Sequence, residues 1–243
     1  FDKLFADKFV DHTCVIVKIK SNNKKSAIKK GEKKIQLVLD SIRTSMGTNQ
    51  FCVLNEPLVL VSTEISTRTG MFHERYNHKL LCEINESDMS LIKPVTETVS
   101  RFIDKENPSK FEQRILRSLE WIGSSIQQDE PEDKISNLCT SLETIFVPEK
   151  DGRKGEKLAF RITLLQLRIN GKFTFPERTL MLYEKRSEIV HGSDYNKEPP
   201  NKQDVRSLES LAMMVFPMVC NIIQKNNFTK ISKFIEWLEN TDE

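Results

Sequence analysis

The sequence predicts an α+β protein, with a mixed α/β region over residues 1–94 and an all-α helical bundle over residues 95–243. Three observations carry this expectation. Val15, Ile16, Val17 and Ile19 sit in a β-branched, roughly alternating run over residues 14–20, as a strand requires. From Val95 onward, apolar residues recur at three- and four-residue spacing, the mark of one-sided helices. Those helices are joined by short polar loops, which makes them antiparallel neighbours in a bundle.

After the strand over 14–20, a helix is expected over 27–46. Ile28, Ile35, Val38, Leu39 and Ile42 form its stripe, and Gly47 stops it. Residues 51–54 and 58–61 read as short strands around the turn-prone Asn55, Glu56 and Pro57, and 80–84 as another. Lone short strands leave their edges unpaired, so this region is expected to belong to a larger β-containing module.

In the second region, Asn107, Pro108 and Ser109 end one helix and start the next. Phe111, Ile115, Leu119, Ile122 and Ile126 form the apolar face of that second helix. Asp129, Glu130 and Pro131 open another, with acidic residues and Pro where free N–H groups favour them. Its face is Ile135, Leu138, Leu142, Ile145 and Phe146. Helices are further expected over 158–169, ended by Asn170 and Gly171, and over 176–190, ended by His191 and Gly192. A long one over 202–224 is bent at Pro217, and a short one carries Ile231, Phe234, Ile235 and Leu238.

Composition bounds the class. Of 243 residues, 38% are apolar, with 14 Phe, enough for a core. Thirty-seven Lys and Arg against 35 Asp and Glu leave a charge of +2, so any nucleic-acid contact must come from a local patch. Five Cys, odd in number and without a CxxC pair, read as reduced thiols of a cytoplasmic protein. No apolar run reaches the roughly 18 residues of a membrane span, the longest, 211–219, being interrupted by Pro217, so no membrane partner is expected. His73, His78 and Cys82 match no common zinc spacing and read as surface residues; no metal or other cofactor is expected. Walker-type loops, G-x-S-x-G and H-E-x-x-H are absent from the sequence.

The chemistry-bearing candidates are Arg186 and His191. Five residues apart on a straight helix, they lie about 140° around and about 7.5 Å along, on different faces. They converge if the His leaves the helix at its cap, or if a second copy of the motif completes the site. An Arg to hold a phosphate and a His to move a proton suffice for RNA cleavage by the 2′-hydroxyl without a metal.

Four segments occur in order: Leu116-Arg117-Ser118-Leu119-Glu120-Trp121-Ile122-Gly123; Asp129-Glu130-Pro131-Glu132-Asp133-Lys134-Ile135; Leu142-Glu143-Thr144-Ile145-Phe146; and Arg186-Ser187-Glu188-Ile189-Val190-His191-Gly192. This series resembles the Apea-like branch of the HEPN superfamily, helical-bundle proteins of prokaryotic defence and toxin systems. The resemblance covers residues 95–243. It implies a bundle of four to five helices that forms a homodimer, with two R-x4-6-H motifs facing across a cleft to cut RNA without metal. It also implies that Arg186 binds the scissile phosphate and His191 is the acid/base. Ser187 stands where the superfamily often carries Asn, Asp or His. The alternative is a non-catalytic dimerisation or RNA-binding module. An upstream sensor domain or a defence-system partner is a further expectation.

Other residues have two readings each. Glu143 is either a partly buried carboxylate paired with Arg186 or a solvated helix flank. Arg161 is either a second phosphate ligand or a snorkelling side chain. Tyr195 is placed to stack on a base. A Lys-rich stretch with Lys24, Lys25, Lys29, Lys30, Lys33 and Lys34 either steers an RNA backbone or forms a solvated face. The same holds for Arg153, Lys154 and Lys157 in the loop before the Arg161 helix.

Overall fold

The computed structural model describes residues 19, 21, 23–46, 86–171, 176–191 and 199–240. Among them, eight α-helices run in order: α1 Lys24–Met46, α2 Glu86–Asp104, α3 Lys110–Ile126, α4 Pro131–Phe146, α5 Lys154–Asn170, α6 Pro176–His191, α7 Lys202–Asn226 and α8 Ile231–Glu239.

The α+β expectation is overturned: the described residues are all-helical, with no strand among them. The strands expected over 51–54, 58–61 and 80–84 lie outside the described residues. Of the run over 14–20, only Ile19 is described, in no regular element. What is described of residues 1–94 is mainly helix: α1, expected over 27–46, and the start of α2. The helical grammar also begins earlier than expected, at Glu86. Pro94 lies inside α2, where its missing N–H and its ring would ordinarily break a helix. The helix runs on through it to Asp104, and the Pro94 carbonyl accepts from the Thr98 hydroxyl at 2.9 Å and from Gln224 of α7 at 3.4 Å.

The chain forms two compact units, Phe1–Gln36 with Val53–His78 and Leu37–Cys52 with Lys79–Glu243. In the first, Asn23 caps the start of α1 by accepting the Ser26 N–H at 2.8 Å. Lys25, Lys29, Lys30 and Lys33 are exposed, Lys34 is half-buried and Ile35 is buried.

The second unit is a helical bundle around α4, which packs on α3, α5, α6, α7 and α8. Most of the faces read from spacing are buried: Phe111, Ile115, Leu119 and Ile122 from α3 meet Ile135, Leu138, Leu142 and Ile145 from α4, while Ile126 at the end of the α3 stripe is half-buried. Ser118 and Ser141 share a buried 2.7 Å hydrogen bond between these two helices, so neither hydroxyl is left unpaired. Ser109 and Glu112 form a reciprocal capping box that starts α3. Arg114 then reaches from α3 to the Thr144 and Val147 carbonyls, both at 2.8 Å, and fixes the end of α4. One end of the bundle is closed by aromatic rings: Phe234 of α8 lies 5.3 Å from Phe111, 5.9 Å from Phe146 and 5.8 Å from Phe228.

By length and composition α7 is apolar enough to cross a membrane, but 56% of that window is buried. Leu208, Ala212, Val215, Phe216, Val219 and Cys220 face the bundle core, which is what gives the helix its apolar character.

Candidate functional site

Arg186 and His191 both lie on α6, which has the fewest buried residues of the second unit's longer helices; only Thr179 and Leu182 are buried along it. Its position depends on charge. Asp204, itself buried at the start of α7, accepts from Arg178 at 3.0 Å and from Lys185 at 2.7 Å. Asn201 and Asp204 form the capping box of α7, so the same carboxylate that starts α7 holds α6. Burial pushes the Asp204 carboxyl up, but Lys185, the Asn201 N–H and Arg178 outweigh it and hold it below the usual carboxylate range.

Arg186 faces α4. Its Nη2 lies 3.9 Å from Glu143 Oε2, and its guanidinium sits 5.8 Å from the centre of the Tyr183 ring. The pairing of Glu143 with Arg186 is one of the two readings open from sequence, and the structure places them as an ion pair. Two further groups reach the same carboxylate: Lys154 Nζ at 2.7 Å from Oε1 and the Tyr183 hydroxyl at 3.3 Å from Oε2. Arg186 Nε is buried with no hydrogen-bond partner among the described residues. At 3.9 Å the Glu143 contact is too long to be a hydrogen bond, so the guanidinium is attracted but not bound.

Tyr183 is the residue that sequence reasoning missed. It precedes Arg186 by three positions and so shares its helix face, which is the signal that points to it. Gly155 makes room for its ring: a Cβ there would stand 2.7 Å from Tyr183 Cδ1, so only glycine lets α5 and α6 approach this closely. Burial, then Glu143, pushes the Tyr183 phenol up to about 12, and it stays a hydrogen-bond donor at neutral pH. Beneath it, Cys139 of α4 is fully buried, its Sγ 3.8 Å from the Leu182 carbonyl. Burial pushes the Cys139 thiol up to about 12 against the pull of Arg186.

The remaining candidates are distributed as follows. His191 is exposed as the last residue of α6 and does not share a face with Arg186. Ser187 is half-buried beside Arg186. Arg161 is buried, and its guanidinium is held at 2.7 Å by Glu239, Asp151 and the Phe146 carbonyl. Its role there is to tie α5 to α4, α8 and the preceding loop. Lys157 pairs with Asp151 at 3.0 Å, and exposed Arg153 lies 3.6 Å from Glu156. Tyr195, His73, His78, Cys82 and the Lys24 side chain lie outside the described residues. No group of metal-ligating side chains is found among the described residues. An open cleft of about 700 Å³ lies between the end of α7 and α8, lined in part by Phe228, Lys233 and Trp237, and none of the sequence-predicted residues lines it.

Comparison with known proteins supplies no relative: no family model, no curated protein and no solved structure matches the chain.

Proposed function

We propose that this chain is a metal-independent endoribonuclease acting as a homodimer in the cytoplasm, in an antiphage defence or toxin setting. Arg186 holds the scissile phosphate and His191 transfers the proton. The observation that carries the reading is the state of Arg186: a partly buried guanidinium facing α4, drawn to Glu143 without a hydrogen bond, with a buried Nε still unpaired. Such a fork suits bidentate capture of a phosphate.

In the cleavage, the 2′-hydroxyl oxygen attacks phosphorus while its proton passes to a base. The bond to the 5′-oxygen breaks, and that oxygen takes a proton. The products are a 2′,3′-cyclic phosphate and a 5′-hydroxyl, and the reaction needs one base and one acid. Because His191 and Arg186 project from different faces of α6, two chains related by a twofold axis supply the two imidazoles. Val190, beside His191, and Phe160 and Leu167 on α5 are exposed large apolar side chains that a second copy would cover.

Incubation of the purified protein with total RNA in EDTA is expected to give fragments ending in 2′,3′-cyclic phosphate, and His191→Ala to abolish them. Equal behaviour of wild type and His191→Ala removes the assignment. A non-catalytic dimerisation or RNA-binding module is favoured by one observation, the Glu143 carboxylate facing Arg186 where a phosphate would bind. Retained RNA binding with no cleavage, in protein that is dimeric, selects that reading instead.

A further inference from the structure

We propose that Lys154 and Tyr183 join Arg186 in one phosphodiester-binding site, and that Glu143 is the intramolecular occupant which the RNA backbone displaces. The identity of the ligand rests on the nuclease reading; the site itself rests on the cluster.

Three donors from two helices converge on one carboxylate. Lys154 Nζ lies 2.7 Å from Glu143 Oε1, while the Tyr183 hydroxyl and Arg186 Nη2 lie 3.3 and 3.9 Å from Oε2. A carboxylate presents two acceptor oxygens, and so does a phosphodiester through its non-bridging pair. The phosphorus centre carries them on longer bonds, which brings them closer to donors that the carboxylate leaves too far away. Arg186 is that donor: its nearest approach to Glu143 is beyond hydrogen-bond range, and its Nε is buried and unpaired. The Glu143 carboxylate therefore satisfies Lys154 but not the arginine.

Charge leads to the same conclusion. Lys154 and Arg186 carry two positive charges against one negative charge on Glu143. With Glu143 rotated outward, the pair faces an anion with no competing carboxylate. Lys154 is 43% exposed and Glu143 16%, so the carboxylate has a path to water. Tyr183 is a neutral donor whose ring packs against Gly155, where a Cβ would stand 2.7 Å from Cδ1. It adds a third hydrogen bond without adding charge.

The test uses the full chain and two probes, inorganic phosphate and a short 2′-O-methylated RNA that cannot be cleaved by its own 2′-oxygen. Glu143→Gln keeps the shape and removes the charge. It is expected to bind both probes about tenfold more tightly than wild type, the gain of one charge-assisted contact. Adding Lys154→Met or Tyr183→Phe to that variant is expected to reverse most of the gain, with the helical circular dichroism unchanged. Unaltered affinity in Glu143→Gln, or a gain that survives both second substitutions, overturns the site. Should Glu143→Gln fail to fold, Tyr183→Phe and Lys154→Met in the wild-type background decide. Each is expected to weaken phosphate binding several-fold, and unchanged affinity in both overturns the proposal. Cleavage in EDTA is scored separately: tighter phosphate binding without cleavage keeps this site and removes the nuclease, whereas His191-dependent cleavage with no effect of Glu143 on binding does the reverse.

Discussion

Replacing Asp204 by Asn tests how α6 is held. The Asp204 side chain is 3% exposed and serves Lys185 at 2.7 Å and Arg178 at 3.0 Å. Arg178 is 41% exposed, so water screens its pair and its share is close to zero. Lys185 is 12% exposed, and without Asp204 its ammonium is left nearly buried and unpaired. A fully buried pair broken on one side costs about 3–5 kcal/mol; the residual exposure of Lys185 reduces this to about 2–4 kcal/mol. The amide oxygen of Asn still accepts the Asn201 N–H, so the cap is largely kept. For a unit of this size the loss corresponds to a Tm lower by roughly 4–16 °C. Calorimetric unfolding at neutral pH measures it. The acid limb provides an independent check. The folded-state pKa of Asp204 lies below its ordinary 3.8, so its stabilisation is complete above 3.8 and is lost as pH falls through the lower, folded value. Glu112 and Asp151, whose pKa values are also lowered, contribute in the same direction. Asp204→Asn should therefore lose less stability than wild type on acidification. A Tm within about 2 °C of wild type, or identical acid limbs, would refute the reasoning.

Other consequences concern packing and reactivity. A Cβ at Gly123 would stand 2.1 Å from Asp40 Oδ2, in a buried pair where Asp40 meets Arg43 at 2.8 Å, so Gly123→Ala should cost about 1–3 kcal/mol in urea unfolding. A neutral effect would mean that the end of α1 is free to move off α3. Phe234→Ala empties the centre of the aromatic cluster and should cost about 3–5 kcal/mol; a loss below about 1 kcal/mol would show that α8 does not close the bundle. Cys139 and Cys220 are fully buried, and burial raises both thiols, Cys139 to about 12. Neither should react with a thiol reagent at neutral pH until the bundle unfolds, and mass-mapped labelling of native protein at either position would contradict that packing.

Much of the second unit was legible because its helices are one-sided. Phe111 through Ile122 and Ile135 through Phe146 keep strict helical spacing, and those side chains are the ones buried. The long C-terminal helix was expected to stop at Gln224 and continues to Asn226, ending on left-handed Asn227. The start of α2 was hidden by Pro94, which a local reading takes as a boundary. The helix nevertheless runs through it, and the Pro94 carbonyl accepts from the Thr98 hydroxyl and from Gln224 of the distant helix α7. The mixed α/β expectation depended on β-branched runs, whose pattern says little about pairing partners. At the site, the link between Glu143 and Arg186 follows from the burial cost of a carboxylate. Lys154 was a basic-patch candidate from sequence, but its meeting with Tyr183 at Glu143 became visible only through the close approach of α5 and α6 at Gly155, a tertiary fact that no local spacing encodes.

The central claim is that two chains together complete one RNA-cleaving site, and the rate of RNA cleavage per chain in EDTA, followed against chain concentration, tests it directly. That rate is expected to rise with concentration while dimers form, to level off once pairing is complete, and to vanish in His191→Ala. Cleavage at a constant rate per chain by a 28.2 kDa monomer, or none from protein that is fully dimeric, would contradict it.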